Sequence, residues 1–268
     1  MSLLRLASYN VNSVRSRTGL IGLWLDHRGN DIDILAMQEL KATAEQFPGE
    51  FFESRGFVCH INPQKRYNGV GICSKFPPDD VQIRFNRPIL DVQARIIRAR
   101  FGRLDLWNIY GPHGDLPGTD KFRFKMQWYD QLTDLLKTSY DLQTDRVIIT
   151  GDFNITFDDR DVYDPVALAG SIGTMPQERA KLQALLELGF IDGFRHLHPD
   201  TIQYTWWDYQ GAKIWKNQGM RIDHLLVSPA ALPFLREVEV DLWPRRKNKI
   251  KPSDHAPLIG AFDKGILS

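Results

Sequence analysis

The sequence has little cysteine and no long apolar run, and both features narrow the class of protein. Only two of the 268 residues are cysteines. Cys59 and Cys73 each lie in a strand-like segment, so we expect them to fill core rather than form a bridge or bind a metal, which fits a reducing, cytoplasmic compartment. No apolar stretch approaches the roughly 18 residues of a membrane span. The opening segment, MSLLRLASYN, turns polar too early for a signal peptide.

The sequence also lacks a strong net charge and any linker-like tract of proline, glycine and serine. A net charge of +1 argues against a protein that coats a polyanion, although a binding surface can still be local. Apolar residues make up 43% of the chain and charged residues 25%, which is typical of a globular protein with ample core. We therefore predict a single domain over residues 1–268.

One charged segment stands out near the C-terminal end. Five of the seven residues from Arg245 to Lys251 are lysine or arginine, and they lead into Ser253-Asp254-His255. Such a run is usually a solvated loop. Beside a candidate site we favour phosphate attraction instead, with Arg245 and Lys247 as the contacting residues.

The order of predicted elements indicates an α/β fold with mainly antiparallel sheets. Strand-like segments are crowded between residues 57 and 109 and after residue 204, with little room for helices between them, which favours hairpins and meanders over a doubly wound parallel sheet. We predict two sheets packed face to face with helices outside. The predicted helices are Thr18–Arg28, Thr43–Ser54, Lys121–Tyr140 and Gln177–Leu188, and the later strands include Tyr204–Tyr209, Arg221–Ser228 and Glu237–Leu242.

Polar residues follow several of the predicted strands, most clearly at VIITGDFN (147–154). Each residue alone could be a turn former, a helix cap or a surface ion pair. Together they offer carboxylate and amide oxygens of the kind that Mg²⁺ prefers, and few of the imidazole or thiolate ligands of a structural zinc site. The residues predict a divalent-metal site that handles phosphate, with a histidine nearby. They are Asn10, Glu39, Asp152, Asn154, Asp223, Asp254 and His255.

The same motifs resemble a known enzyme family in order and approximate spacing. They are Asn10-Val11-Asn12, Gln38-Glu39, Tyr110-Gly111-Pro112, Gly151-Asp152-Phe153-Asn154, Arg221-Ile222-Asp223 and Ser253-Asp254-His255. The chain resembles the exonuclease III family of abasic-site endonucleases, within the endonuclease/exonuclease/phosphatase superfamily, along nearly its whole length. Segments such as KFRFKMQWYDQL and YTWWDYQGAKIWKNQGMRIDHLLVS are similar to the bacterial branch in particular.

The resemblance implies a four-layered, DNase I-like α/β sandwich and Mg²⁺-dependent hydrolysis of DNA phosphodiesters, with Mn²⁺ as a possible substitute. Glu39 would be the principal metal ligand, with Asn10 and Asp254 beside it and Asn12 nearby. Asp152 would act as general base, and Asn154 would hold the water or phosphate oxygens; both could also contact the metal. His255, oriented by Asp223, would donate to the phosphoryl oxygen, and Tyr110 would support the phosphate or the leaving oxygen.

Substrate selection is implied for a second group of residues. Trp206, Met220 and Ile222 match the positions of a small apolar pocket for a flipped-out abasic sugar, which has no base to clash. Met220 and His113 depart from the residues common in the family, and His113 would contact phosphate in a pH-dependent way. We expect the loop Asp158–Thr174 to face DNA, and Trp207 and Tyr209 to fill core.

The expected partner is double-stranded DNA that carries abasic sites or blocked 3′ ends. We expect the protein to act as a monomer and not to associate with a membrane. Two alternatives stay open. One is a phosphoesterase of the same superfamily that acts on lipid or inositol phosphates, and the other is a non-catalytic DNA-binding homologue. The basic run and the Trp206 pocket count against the first, and the intact set of polar residues counts against the second.

Overall fold

The computed structural model describes residues 3–246 and 250–268, and over these residues the chain forms two six-stranded sheets with helices on the outside. The helices are α1 (Val14–His27), α2 (Gly49–Glu53), α3 (Pro88–Asp91), α4 (Asp120–Ser139), α5 (Pro176–Glu187) and α6 (Gly193–Leu197). The strands are β1 (Leu3–Asn10), β2 (Ile34–Gln38), β3 (Val58–Asn62), β4 (Val70–Ser74), β5 (Asp80–Gln82), β6 (Ile96–Phe101), β7 (Leu104–Tyr110), β8 (Arg146–Asp152), β9 (Ile191–Asp192), β10 (Asp223–Val227), β11 (Leu235–Val240) and β12 (Leu258–Asp263).

Each sheet is antiparallel except for one parallel pair near its middle. The first sheet has the order β11-β12-β1-β2-β4-β3, with β1 parallel to β2, and the second has the order β5-β6-β7-β8-β10-β9, with β7 parallel to β8. Parallel neighbours need a crossover, which α1 and α4 provide. The predicted mainly antiparallel α/β sandwich is confirmed. The two parallel pairs matter because neighbouring strands then end at the same edge.

The two sheets pack face to face through aliphatic side chains, and the helices cover their outer faces. Ile34 of the first sheet and Leu106 and Leu225 of the second belong to one buried cluster between the sheets. Trp24 of α1 packs on the outside of the first sheet, and Trp128 of α4 packs on the outside of the second. Removing this aliphatic surface from water is the main stabilising term of such a sandwich.

A buried pair of amides joins the two sheets next to the polar strand ends. Gln38, the last residue of β2, donates from Nε2 to Oδ1 of Asn108 in β7 at 2.7 Å. Asn108 in turn donates from Nδ2 to the carbonyls of Met37 at 2.9 Å and Gly71 at 2.8 Å. Because buried polar groups are costly unless they are paired, these bonds hold β2 and β7 in one relative position.

Three sequence predictions need correction. Cys59 and Cys73 form a disulfide, because they occupy directly opposite positions on β3 and β4. The predicted strand Tyr204–Tyr209 is not a strand, since only Trp206 makes isolated bridges there. The predicted helix Thr43–Ser54 is reduced to α2, which begins after Pro48; a proline restricts the residue before it to extended backbone, so the preceding residues form turns.

The predicted helices over α4 and α5 are confirmed to within one or two residues, and α1 begins earlier than predicted. The predicted loop Asp158–Thr174 is confirmed as irregular, apart from one short 3₁₀ turn at Asp159–Asp161. Among the described residues, no helix combines the length and apolar character that crossing a bilayer would require.

Candidate active site

The two sheets meet at one edge where four strands end, and each sheet contributes part of a polar cavity. Asn10 ends β1 and Glu39 follows β2, while Tyr110 and Asp152 end β7 and β8 as register partners. Asp223 begins β10 directly opposite Asp152. The antiparallel direction of β10 therefore brings its first residue to the edge where β8 finishes.

The cavity has a volume of about 250 Å³. Most of the residues predicted to bind metal or substrate line it, and one lining residue, Ile172, was not predicted. The lining residues are Glu39, Tyr110, His113, Asp152, Asn154, Ile172, Trp206, Met220, Ile222, Asp254 and His255. The motifs that are far apart in sequence are therefore brought together, as we predicted from their strand ends.

Backbone crowding explains the glycine before Asp152. Gly151 has a φ of 142°. A Cβ atom there would overlap the carbonyl of Ile109 on the neighbouring strand β7. Only glycine allows the two strand ends to approach so closely, and this approach places Asp152 beside Tyr110.

Two carboxylates form the centre of the cavity. Asn10 donates from Nδ2 to Oε1 of Glu39 and to Oδ2 of Asp152, at 2.9 Å each, while its Oδ1 accepts from the backbone N–H of Asn12 at 3.0 Å. Asn10 therefore bridges the carboxylates, and its oxygen is engaged elsewhere. Burial, with the nearby Asp223 and Glu39 charges, raises the pKa of Asp152 to about 7.

His255 lies beside Asp152 and is held by Asp223. Its Nδ1 is 2.8 Å from Oδ2 of Asp223, and its Nε2 is 3.7 Å from Oδ2 of Asp152. Burial alone would lower the pKa of His255, but the Asp223 and Asp152 carboxylates outweigh it and raise this pKa to about 10. The imidazole is therefore a protonated donor at neutral pH.

Asn154 and Tyr110 complete the polar wall. Asn154 adopts a positive φ of 53°, its N–H donates to Oδ1 of Asp152 at 2.8 Å, and its Nδ2 donates to the carbonyl of Gly111 at 3.0 Å. Asparagine tolerates this conformation better than most residues. Burial and the Glu39 and Asp152 carboxylates raise the pKa of Tyr110 well above its usual value, so its hydroxyl stays protonated.

Asp254 is held as an anion at the border between the polar and apolar walls. Its Oδ1 accepts from Nδ2 of Asn12 at 2.9 Å, and its Oδ2 accepts from the indole N–H of Trp206 at 3.1 Å. Burial opposes ionisation, yet His255 and these two hydrogen bonds hold the pKa of Asp254 below its usual value. Trp206 thus has a polar contact as well as an apolar face.

The apolar wall combines predicted residues with parts of the 158–174 loop. Trp206, Met220 and Ile222 pack together as expected, and the loop adds Val162 and Leu168 to the same cluster. His113 is exposed at the rim, but partial desolvation by its surroundings, together with the Lys125 charge, lowers its pKa. His113 is therefore neutral at physiological pH and offers phosphate one N–H at most.

Two lysines with roles near the site were missed. Lys41 lies 2.6 Å from Oε2 of Glu39 and donates to Oδ1 of Asn12 at 2.8 Å. Its place two residues after Glu39 was the available signal in the sequence. Both residues adopt positive φ angles, 54° at Glu39 and 50° at Lys41.

The second missed lysine is Lys125 of α4, which is fully buried with Glu178 of α5 at 2.6 Å. Lys125 also donates to the carbonyls of His113 at 3.0 Å and Asn154 at 2.9 Å. Glu178 accepts from the backbone N–H of Gly173 at 2.6 Å, directly after Ile172. A lysine on a helix normally lies on a solvated face, so nothing in the sequence predicts that Lys125 is buried here.

Within the basic run, Arg245 differs from its prediction as a phosphate contact. Arg245 is only 5% exposed. It donates from Nη2 to the carbonyl of Trp207 at 2.9 Å and from Nε to that of Asp254 at 3.2 Å. We therefore assign Arg245 to the architecture of the site loop rather than to phosphate contact. Lys247 lies outside the described residues. Trp207 is buried as expected, whereas Tyr209 lines a surface cleft and is partly exposed.

The donor set fits a hard divalent cation. Single ligand atoms from Glu39, Asp152 and His255 lie within 4.8 Å of one another. Two carboxylates this close need a positive partner, and oxygen ligands of this kind suit Mg²⁺ or Mn²⁺. Because Nδ1 of His255 is bonded to Asp223, the carboxylates would be the ligands and His255 a neighbouring donor. Glu39 and Asp152 would hold the ion, with Asp254 at the rim.

Sequence and structure comparisons place this geometry among known enzymes. The profile of the Endonuclease/Exonuclease/phosphatase family matches residues 7–255. Exodeoxyribonuclease III of Haemophilus influenzae is 31% identical over 97% of this chain and 100% of its own length. An AP endonuclease of Archaeoglobus fulgidus superposes with a TM-score of 0.91 at 34% identity, covering 97% of this chain and 99% of the other.

A Neisseria enzyme is also similar. NExo, described as a 3′ phosphatase and solved with a product DNA hairpin, has a TM-score of 0.90 at 37% identity, over 97% of this chain and 99% of the other. These relatives match the chain from its first strand to its last. The chain belongs to the Endonuclease/Exonuclease/phosphatase family, and within it to the exonuclease III group.

Proposed function

We propose that this nuclease of the exonuclease III group uses Mg²⁺ to hydrolyse DNA at abasic sites and to remove blocking groups from 3′ ends. The observation that carries the proposal is the cluster of Glu39, Asp152 and His255, whose ligand atoms lie within 4.8 Å of one another beside a small apolar pocket. Phosphodiester hydrolysis needs a base for the attacking water and a proton donor for the phosphoryl oxygen, and Asp152 and His255 are side chains of these two kinds.

The protein groups divide the work of the reaction. Asp152 accepts the proton of the attacking water, and Asn154, tied to Asp152 and Gly111, keeps that carboxylate in one orientation. His255 donates to the phosphoryl oxygen on which negative charge grows, while Asp223 keeps its ring in place. Tyr110 offers a protonated hydroxyl close to the Glu39 and Asp152 carboxylates.

Glu39 and Asp152 would hold the Mg²⁺, with Asp254 beside them. The bound cation supplies Lewis-acid stabilisation of phosphate oxygens. Asn10 keeps the two carboxylates at a fixed separation, and Lys41 neutralises the outer oxygen of Glu39.

Selection of damaged DNA is assigned to the apolar wall. A cavity of about 250 Å³ bounded by Trp206, Met220 and Ile222 suits a sugar without a base. An intact nucleotide would have to bring its base as well, and flipping costs least where stacking is already lost. The same polar wall serves a 3′-phosphate end, for which no extrahelical sugar needs to be held.

The test is an incision assay on a labelled duplex that carries one abasic analogue, run with Mg²⁺, with Mn²⁺ and with chelator. A matched duplex with a 3′-phosphate is tested in parallel. We expect incision on the 5′ side of the abasic site and release of phosphate in the presence of metal only. Activity on an inositol phosphate without activity on DNA, or binding of DNA without any cleavage, would contradict the proposal.

A further inference from the structure

An exposed aromatic cleft lies beside the catalytic cavity and has no part in the proposed chemistry. We call it the flanking cleft; its volume is about 350 Å³, and its lining includes Tyr209, Ile214, Trp215, Arg245, Lys251 and Pro252. Trp215 is 59% exposed, although tryptophan is among the side chains that gain most from burial. Large exposed aromatic groups that line a concave surface are typical of binding sites.

The floor of the flanking cleft is rigid. The hydroxyl of Tyr209 donates to the carbonyl of Pro252 at 2.8 Å and accepts from Nη2 of Arg17 at 3.1 Å. Arg245, held by the backbone carbonyls described above, lies 5.5 Å from the centre of the Tyr209 ring. Ile214 is buried beneath the segment that carries Trp215. A ligand would therefore meet a preformed surface, which lowers the cost of binding.

The charge of the cleft favours an anion. Lys251 is exposed, and its Nζ lies 5.1 Å from the centre of the Tyr209 ring. Lys216, next to Trp215, is exposed as well. One acid, Asp208, also lines the cleft, but its Oδ1 accepts from the backbone N–H of Gln210 at 2.9 Å and so serves the turn. Lysines interleaved with aromatic rings are the chemistry that holds single-stranded nucleic acid.

The flanking cleft borders the catalytic cavity directly. Nδ2 of Asn12 lies 3.5 Å from the hydroxyl of Tyr209 and 2.9 Å from Oδ1 of Asp254, which lines the catalytic cavity. A DNA strand whose phosphate is in the catalytic cavity can therefore place a neighbouring nucleotide in the cleft. The faces of a paired base are covered by stacking on its neighbours in the duplex, whereas an unpaired base can stack on an indole ring.

We propose that the flanking cleft binds an unpaired nucleotide next to the scissile phosphate, with its base stacked on Trp215 and its phosphate held by Lys251. This inference rests on the proposed action on DNA and adds a substrate class to it: DNA with a frayed or single-stranded segment beside the reacting phosphate. Since the cleft does not touch the reacting atoms, it contributes to affinity and not to turnover.

The experiment measures binding and catalysis separately in Trp215→Ala, Trp215→Phe and Lys251→Ala proteins. The control is Val58→Ala, which truncates an exposed apolar residue at the end of β3 that is remote from the site. Kd for a labelled single-stranded oligonucleotide and for a fully paired duplex is measured in chelator. KM and kcat are measured for abasic duplexes with a paired or an unpaired flank.

Loss of one stacking partner weakens binding of a base by about tenfold, so we expect that increase in Kd for the single strand in Trp215→Ala. The paired duplex should change less than twofold, kcat should stay unchanged, and Trp215→Phe should retain most of the affinity. Indole emission should be quenched less by the oligonucleotide in Trp215→Phe than in the wild type, in which Trp215 is one of seven tryptophans. Lys251→Ala should reduce the salt dependence of single-strand binding by about one unit.

A wild-type Kd for the single strand in Trp215→Ala, or an equal loss for paired and unpaired DNA, would overturn the inference. The same holds if Val58→Ala has the same effect as Trp215→Ala, because the loss would then be general. These binding results stand apart from the proposed function, which fails instead if the wild type does not cleave any DNA substrate.

Discussion

The two walls of the catalytic cavity are built in different ways. The polar wall, Glu39, Asp152 and His255, lies at or beside strand ends, and its side chains are joined by short hydrogen bonds through Asn10 and Asp223. The apolar wall, Trp206, Met220 and Ile222, comes from irregular segments joined by isolated bridges and packing. Catalysis needs fixed distances between side chains, and sheets provide them. Loops can recognise the shape of a substrate and can vary in sequence without disturbing a sheet.

The largest expected effect is on the polar wall. Asp152→Asn keeps the shape of the side chain but removes the base, so kcat should fall by about 10³-fold, for abasic incision and 3′-phosphate removal alike. Steady-state kinetics on matched substrates, with DNA affinity measured in chelator, would test this. A loss confined to one substrate, or a loss of affinity without a loss of turnover, would show that Asp152 is not the shared base.

The second expected effect is on the buried ion pair that connects the two walls. Lys125 and Glu178 connect Asn154 of the polar wall to Gly173, next to Ile172 on the other side. Glu178→Gln leaves a buried ammonium without its counter-charge and should lower the free energy of unfolding by about 3 kcal/mol. The control is Asp130→Asn, which breaks the exposed pair of Lys181 on the same helix and should cost less than about 1 kcal/mol.

Denaturant unfolding measures both variants. If Glu178→Gln is no less stable than the control, the buried pair does not hold the walls together.

The third effect concerns pH. The pKa of His255 is raised from 6.5 to about 10 in the folded protein, so its contribution to stability is complete below pH 6.5 and is lost as pH rises through 10. Over that window the metal-free protein should lose about 1.4 kcal/mol of stability per pH unit. Asp223→Asn removes the main charge that raises this pKa and should flatten the slope. The free energy of unfolding, measured in chelator from pH 6.5 to 10, gives this slope. An equal slope in the wild type and in Asp223→Asn would argue against the pairing of His255 with Asp223.

The smallest effect is on the apolar wall. Met220→Ala removes apolar contact with a flipped sugar and should lower kcat/KM for abasic incision by about tenfold, with 3′-phosphate removal little changed. Trp206→Phe keeps an apolar ring but loses the N–H bonded to Asp254, so it should affect both reactions. If Met220→Ala lowers both reactions equally, the two walls are not functionally distinct.

Most of the polar wall was predictable because its residues follow strands. Asp152 follows the β-branched run 147–150 with only Gly151 between them, and Asp223 and Asp254 lie next to other strand-like segments. The strand pattern therefore predicted that these residues lie close together. Ile172 and Lys125 were not predictable, because an isoleucine in an irregular loop and a lysine on a helix have no periodic signature of a site. Arg245 was misread for a related reason: charge density in a sequence does not reveal which guanidinium is bonded to backbone carbonyls.

Most of the order of strands and helices, the two sheets with helices outside and the set of polar strand ends were determined by the sequence itself, because local periodicity and turn residues report how a chain alternates between core and solvent. Tertiary structure alone decided the pairing of Cys59 with Cys73, the burial of Lys125 with Glu178 and the exposure of Trp215. Each of these depends on which distant segment packs against a residue, and residue spacing along a chain does not specify that contact.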